Sequence, residues 1–239
     1  GAYGEWKDYN AYSDFISSEG APVFYARVDH VSVPLDKEGT GQVVVDFTPE
    51  PLTQDVSFAF HIEKTAGVVV DSLTAEISGV PSTMELTTGL ILAQKTYKLL
   101  FRPAYAALPS AADSTSTEAL RCEAAVNIPG IVRSHTEDMV TGPGILQIAI
   151  YTHYDYEEEG TQRKAAKVFH AGINLYHTLK ECKSLQWDEE AGGYRQASRS
   201  ITVEIGTPLE IDKDGILNSG STSTGLDQWI PGETFEIEV

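Results

Sequence analysis

Six histidines, at positions 30, 61, 135, 153, 170 and 177, are the first side chains to weigh for chemistry. An imidazole can bind a metal or move a proton near neutral pH. His153 and Asp155 alternate onto one strand face, and His170 can approach them across a hairpin. A metal centre needs three or four such ligands with outer groups that orient them, so scattered strand histidines are more simply half-exposed pairing residues. Asp212-Lys213-Asp214-Gly215 opens like a calcium loop, but Ile216 and Ser223 occupy the places of the next ligand and the closing bidentate glutamate. That stretch therefore reads as a polar turn, for which Asp and Gly are the natural residues.

Nucleophilic catalysis finds no support either. The string nearest to a nucleophile elbow, Gly220-Ser221-Thr222-Ser223-Thr224-Gly225, has the wrong spacing. A glycosidase needs two carboxylates on facing strands, and among 35 acidic residues no pair stands out. Glu157-Glu158-Glu159 reads as a solvated hairpin tip, and no Gly-rich phosphate loop occurs. No catalytic, cofactor-binding or metal-binding residue is assigned, and the chain is expected to be non-enzymatic. One binding chemistry stays open. Tyr151, Tyr154, Tyr156, Trp187, Tyr194 and Trp229 gather in the second half, and Trp187 and Trp229 are the candidates for stacking on sugar rings. Core packing and strand pairing are the competing use of such aromatics.

The elements that must position these residues are strands. Val56, Phe58, Phe60 and Ile62 fall on one face of Asp55–Lys64, with Ser57, Ala59, His61 and Glu63 on the other. That period of two predicts a half-buried antiparallel strand. The same alternation marks Val43, Val45 and Phe47; Leu73, Ala75 and Ile77; Tyr97, Leu99 and Phe101; and Leu146, Ile148, Ile150, Thr152 and Tyr154. A polar stretch over 157–164 predicts a hairpin loop into a strand near 167–175, and further strands are expected over 200–205 and 234–239. Helical periodicity is scarce: 14–18 and 175–182 could each supply about two turns, and 116–125 is ambiguous. Short strands between turn residues predict an all-β chain of the sandwich kind.

Composition narrows the partners. The 239 residues hold 35 Asp plus Glu against 17 Lys plus Arg, a net charge of −18, with 41% hydrophobic residues, enough for a sizeable core. The deficit is spread over both halves, −7 in 1–109 and −11 in 110–239. A phosphate backbone would meet repulsion throughout, which argues against nucleic acid, and no polybasic stretch holds anionic lipid. No run of about 18 apolar residues occurs, and the start has neither a basic region nor an apolar run. Cys122 and Cys182 lie 60 positions apart without a Cys-x-x-Cys partner, compatible with one disulfide or two free thiols.

The alternation breaks at Pro103–Ala119, where Ala106–Thr117 is small and polar with no apolar face. This predicts an N-terminal sandwich over 1–105 with an extension at 1–22, a linker at 106–117, and a C-terminal sandwich over 118–239. Asn218–Gly225 is a second low-complexity piece and reads as a surface loop.

Four stretches carry a family resemblance. They are Gly41–Pro49 (GQVVVDFTP), Leu73–Gly89 (LTAEISGVPSTMELTTG), Ile173–Leu179 (INLYHTL), and Gly225–Glu233 (GLDQWIPGE) with Phe235–Val239 after it. In this order, across 23–239, they resemble the fimbrillin-like and fimbrium-anchor lipoproteins of Bacteroidetes. The resemblance implies two tandem transthyretin-like (Greek-key) β-sandwiches and export to the outer membrane or cell surface. Membrane attachment would come only from a lipid anchor outside this chain. It implies a role in assembling or anchoring fimbriae, with fimbrial subunits as partners through strand addition or loops, and it brings no catalytic residues. Polymerising subunits of that group are cleaved after an Arg near the first strand, whereas Arg27 sits inside a candidate strand, so an accessory or anchor subunit fits better than a shaft subunit. Segments 23–33 and 234–239 are the candidate edges. A glycan-binding surface lipoprotein and a secreted polysaccharide hydrolase are the alternatives.

Overall fold

The structure is a computed structural model that describes residues 14–16, 23–32, 43–109, 117–131, 144–175, 178, 181–182, 184–196, 198–217 and 229–237. Its strands begin with β1 (Asp14–Ile16), β2 (Phe24–Tyr25), β3 (Glu50–Pro51), β4 (Gln54–Thr65) and β5 (Val68–Glu85). They continue with β6 (Leu90–Phe101), β7 (Ala104–Ala107), β8 (Thr117–Ile128), β9 (Ile145–Glu158) and β10 (Thr161–Asn174). The last are β11 (Leu185–Asp188), β12 (Gly193–Gln196), β13 (Ser200–Glu204), β14 (Leu209–Ile211) and β15 (Ile230–Ile237). The larger sheet runs β11-β12-β6-β5-β9-β10-β15 with β1 also on β6; the smaller runs β13-β4-β8-β7 with β14 also on β4. β2 and β3 form a separate two-stranded ribbon.

Period-two patterning is what closes these sheets on one another. Val56, Phe58, Phe60 and Ile62 of β4 are all buried, as are Leu73, Ala75 and Ile77 of β5 and Leu146, Ile148 and Ile150 of β9. These rows share one hydrophobic core with Leu120, Cys122 and Val126 of β8 and with Ile201 and Val203 of β13. Phe58 stacks on Phe101 of the opposite sheet with ring centroids 5.5 Å apart. The architecture is an all-β sandwich. Turn chemistry agrees with the pairing at the β9–β10 hairpin. Glu159 and Gly160 both have positive φ, 52° and 76°, the type I′ geometry that matches the strand twist. The loop is thus two residues long, and most of the polar 157–164 stretch lies in the strand ends.

The expected boundary at 106–117 does not divide the molecule. β4 pairs with β8 from Gln54↔Ile128 to Thr65↔Thr117, and β5 pairs with β9 from Val68↔Tyr154 to Ile77↔Leu146. β13 lies parallel to β4, placing Ile201 beside Val56 and Val203 beside Phe58. Both sheets therefore draw strands from both sides of the proposed linker, and the tandem arrangement of 1–105 and 118–239 is corrected to one two-sheet sandwich. Residues 104–107, partly inside that linker, form β7 against β8. A buried polar knot ties the halves again. Gln54 Nε2 donates to the carbonyls of Ser184 at 3.1 Å and Ser198 at 2.7 Å, while Ser184 Oγ donates to Gln54 Oε1 at 2.7 Å. Cutting the chain between Pro109 and Thr117 is expected to leave fragments that co-elute as one particle and separate only in denaturant. Two independently eluting folded particles would restore the two-domain division.

Other expectations shift locally. Residues 14–16 form a strand parallel to β6 rather than a helical turn, and 117–128 is a strand. Val43–Pro49 carries the alternation of a strand yet forms no ladder, leaving Val44 and Phe47 exposed; only Glu50 and Pro51 pair, with Tyr25 and Phe24. The pattern describes side chains, whereas a strand also needs a partner for its backbone. The described part of 175–182 is helical at Thr178, Glu181 and Cys182. Loop 218–225 and residues 238–239 lie outside the described residues. Both cysteines are free thiols: Cys122 is buried in the core, which pushes its pKa up to about 12, and burial also raises Cys182, with Glu181 adding to it.

Candidate functional site

The two tryptophans proposed for sugar stacking have opposite fates. Trp229 is 2% exposed, donates from Nε1 to the Thr207 carbonyl at 2.9 Å, and meets Phe60 edge-on with centroids 5.7 Å apart. It is a core residue, and the stacking role is corrected to packing. Its apolar ring fills the sandwich while its one donor finds a backbone acceptor at the rim. Trp187 is 44% exposed on β11, at the far edge of the larger sheet.

The hairpin that carries Trp187 is rigidly built. Trp187 pairs across the ladder with Tyr194, and the rings stand at 79° with centroids 5.0 Å apart. Tyr194 is buried in a small cluster with Ile91 and Leu185. Asp188 closes the turn: its carboxylate accepts from the Ala191 N–H at 3.0 Å and from Arg195 Nε at 2.8 Å. These two contacts, the backbone one first, hold its pKa below the usual carboxylate range. Arg195 Nη1 also donates to the Thr88 carbonyl at 2.7 Å, tying the hairpin to the β5–β6 turn. In that turn Glu85 accepts from the hydroxyls of Thr88 at 2.6 Å and Thr87 at 3.1 Å, which lowers its pKa. Leu185 is fixed from behind. A Cβ added at Gly130 (φ 141°) would lie 2.7 Å from its side chain, so only glycine allows this approach.

The histidine constellation does not assemble. His153 lies opposite Ala166 and His170 opposite Ala149, four rungs apart on the same ladder, and Asp155 faces Lys164. His153 Nδ1 instead meets Asp71 Oδ1 at 2.7 Å, and His170 packs edge-on against Phe235. Among the described residues no group of three or more His, Cys, Asp or Glu could hold a metal ion. Asp212 caps its own turn, accepting from the N–H groups of Asp214 at 2.7 Å and Gly215 at 2.8 Å. Those contacts are what the polar-turn reading requires.

One arrangement lay outside the sequence reading. On the outer face of the smaller sheet, Glu204, Ala59 and Glu123 form one row across β13, β4 and β8. Two strand spacings put the glutamate Cα atoms about 10 Å apart. Arg121 spans them, with Nε 2.6 Å from Glu123 and Nη1 3.5 Å from Glu204. The small side chains of Ser57, Ala59 and Ala125 leave an open depression of about 350 Å³ beside this network. The guanidinium, its pKa raised first by the Glu123 hydrogen bond, pairs with both carboxylates and leaves the three groups one net negative charge.

The sheet edges are the remaining candidates. β15 pairs with β10 from Gly172↔Ile230 to Ala166↔Ile237, with a bulge at Phe169/Ala171. It ends the path of the larger sheet, so among the described residues its other edge carries no strand. The part of 234–239 that is described therefore completes its own sheet and at the same time forms its border. Among the described residues 23–32 of the candidate edge 23–33, only Phe24 and Tyr25 are strand, and Val23, Phe24, Val28 and Val31 are exposed. No protein-family model matches this chain, and neither a curated protein nor a solved structure shows significant similarity to it.

Proposed function

We propose that this chain is a non-enzymatic cell-surface protein that serves fimbria assembly or anchoring as an accessory or anchor subunit. In this reading it reaches the outer membrane through a lipid anchor outside the chain and joins fimbrial subunits at a sheet edge or through loops. The observation that carries the proposal is β15, a strand of eight residues bordering the larger sheet, with Phe235 exposed beside it. An open edge presents backbone N–H and C=O groups to which an incoming strand can add, while side-chain pockets select which strand. The segments 23–32 and 43–49, with exposed Phe24, Val44 and Phe47, offer a second adhesive element of low charge.

The test is to delete 234–239 and, separately, 1–22, and to prepare Phe235→Lys as a variant that keeps the strand. Fimbria number, length and retention are then measured on cells producing folded, surface-exposed protein. Shorter, fewer or shed fimbriae are expected from at least one change. Unaltered fimbriae in all three would sink the assembly role.

A further inference from the structure

β7 ends the path of the smaller sheet, so among the described residues its outer edge carries no strand. Its four residues, Ala104–Ala107, are exposed, as is Leu108 after them. The edge is held in place from behind. The ladder with β8 runs from Ala104↔Glu123 to Ala107↔Leu120 without a bulge, and the Leu108 N–H donates to the Ala119 carbonyl at 2.8 Å. The Tyr105 hydroxyl reaches the opposite sheet, 3.0 Å from the Val70 carbonyl and 2.9 Å from that of Asp71. Because the Leu108 N–H turns towards β8, strand alternation turns the N–H and C=O groups of Tyr105 and Ala107 outward.

Sheet borders are commonly blunted against pairing by charge, proline or bulges. The other borders of this sandwich carry such groups. β15 holds Pro231, Glu233 and Glu236 and pairs over a bulge, β13 ends on Glu204, β14 holds Glu210 and β11 holds Asp188. β7 differs: no charged residue occurs from Pro103 to Ala112, in a chain of which 22% is charged.

We propose that β7 is a self-association edge, which takes β7 of a second copy of this chain in antiparallel register and joins two smaller sheets into one. A two-fold pair makes a strand meet itself, so any charge near the axis faces its own copy. An uncharged strand therefore suits a second copy, whereas a foreign strand on this acidic chain would be selected by opposite charge. With the axis at Ala106, Tyr105 exchanges backbone bonds with the partner's Ala107, and Ala107 with the partner's Tyr105, about four bonds in all. Pro103 and Pro109 lack an N–H and end the ladder on either side, and the nearest charges, Arg102 and Asp113, lie beyond it. The assignment does not depend on the fimbrial role given to β15.

The test is sedimentation equilibrium of the whole chain. So short a ladder makes a weak pair, so the mean mass should climb from one chain towards two between about 5 µM and 1 mM. Each copy carries a net charge of −18, so added salt should screen the repulsion and strengthen the pairing. Ala106→Lys and Ala106→Glu each place like charges across the axis and should hold the chain monomeric, while an equimolar mixture of the two should pair again. Ala107→Pro removes an outward N–H without touching the β8 ladder and should also abolish pairing. Because Ala106 is exposed, unfolding temperatures of its variants should stay within about 2 °C of wild type, which separates lost pairing from lost fold. A single-chain mass for wild type at every concentration overturns the proposal. So does self-association that Ala106→Lys leaves undiminished, which would move the contact to another surface, or a Lys and Glu mixture that stays monomeric.

Discussion

Phe60→Ala is expected to destabilise the protein by about 3–5 kcal/mol, against less than about 0.5 kcal/mol for Glu63→Ala three residues away. Phe60 is fully buried, sits opposite Cys122 on β8, and carries the Trp229 ring against its own. Truncation removes the apolar contact and leaves a cavity beneath a tryptophan whose indole N–H is already committed to Thr207. Collapse of the site would have to break that bond, so the loss should fall at the upper end of the range. Glu63 is half-buried on the opposite face of the same strand, where a shorter side chain leaves no cavity. Urea unfolding of both variants measures the difference. Equal losses would mean that the strand turns its other face inward.

The second large effect concerns a charge. Lys98 is fully buried, on the face of β6 that points away from the main core, and its ammonium lies 3.0 Å from the Glu76 carboxylate on β5. Glu76→Gln removes the carboxylate that faces a desolvated cation and should cost about 3 kcal/mol. Adding Lys98→Met to it should recover most of the loss, because the cation is then gone and the volume is nearly kept. A cost below about 0.5 kcal/mol for the single change would show that Glu76 contributes little. The same lysine makes stability depend on pH. Desolvation holds its pKa below the ordinary lysine value, with Glu76 pulling the other way. Between the folded and unfolded pKa values the unfolded chain binds more protons, so stability rises with pH through that window and levels off near about 10.4. Lys98→Met should flatten that rise, which urea titrations at several alkaline pH values would detect.

Where one face of a strand is buried, the sequence is an adequate guide. The rows of β4, β5 and β9 are legible because side chains alternate with the pleat and only one parity is apolar. Lys98 obeys the same parity, yet its burial could not be anticipated, since alternation says nothing about what covers the outer face. The stretch 43–49 fails in the opposite direction, with correct alternation and no ladder. The domain boundary fails because small polar composition at 106–117 reports a missing apolar face, not the independence of what flanks it. The parallel pairing of β13 and β14 with β4 joins segments more than 100 residues apart and leaves no local mark. At the candidate site, Trp187 and Trp229 are alike by type. Their separation depends on β11 lying at a sheet edge and on Thr207 offering a carbonyl inside, both tertiary facts.

The route of β4 sets a timetable for biosynthesis. Its core row meets β8 about sixty residues later in the chain and β13 nearly one hundred and fifty residues later. At about 5–20 residues per second, the ribosome delivers β13 roughly 7–30 s after β4 has emerged. At the same rate β8 follows β4 after roughly 3–14 s, so for the rest of that interval Val56, Phe58, Phe60 and Ile62 have β8 available but not yet β13. Loop-closure entropy delays such distant pairings further, so the β4–β13 pairing should form late in folding.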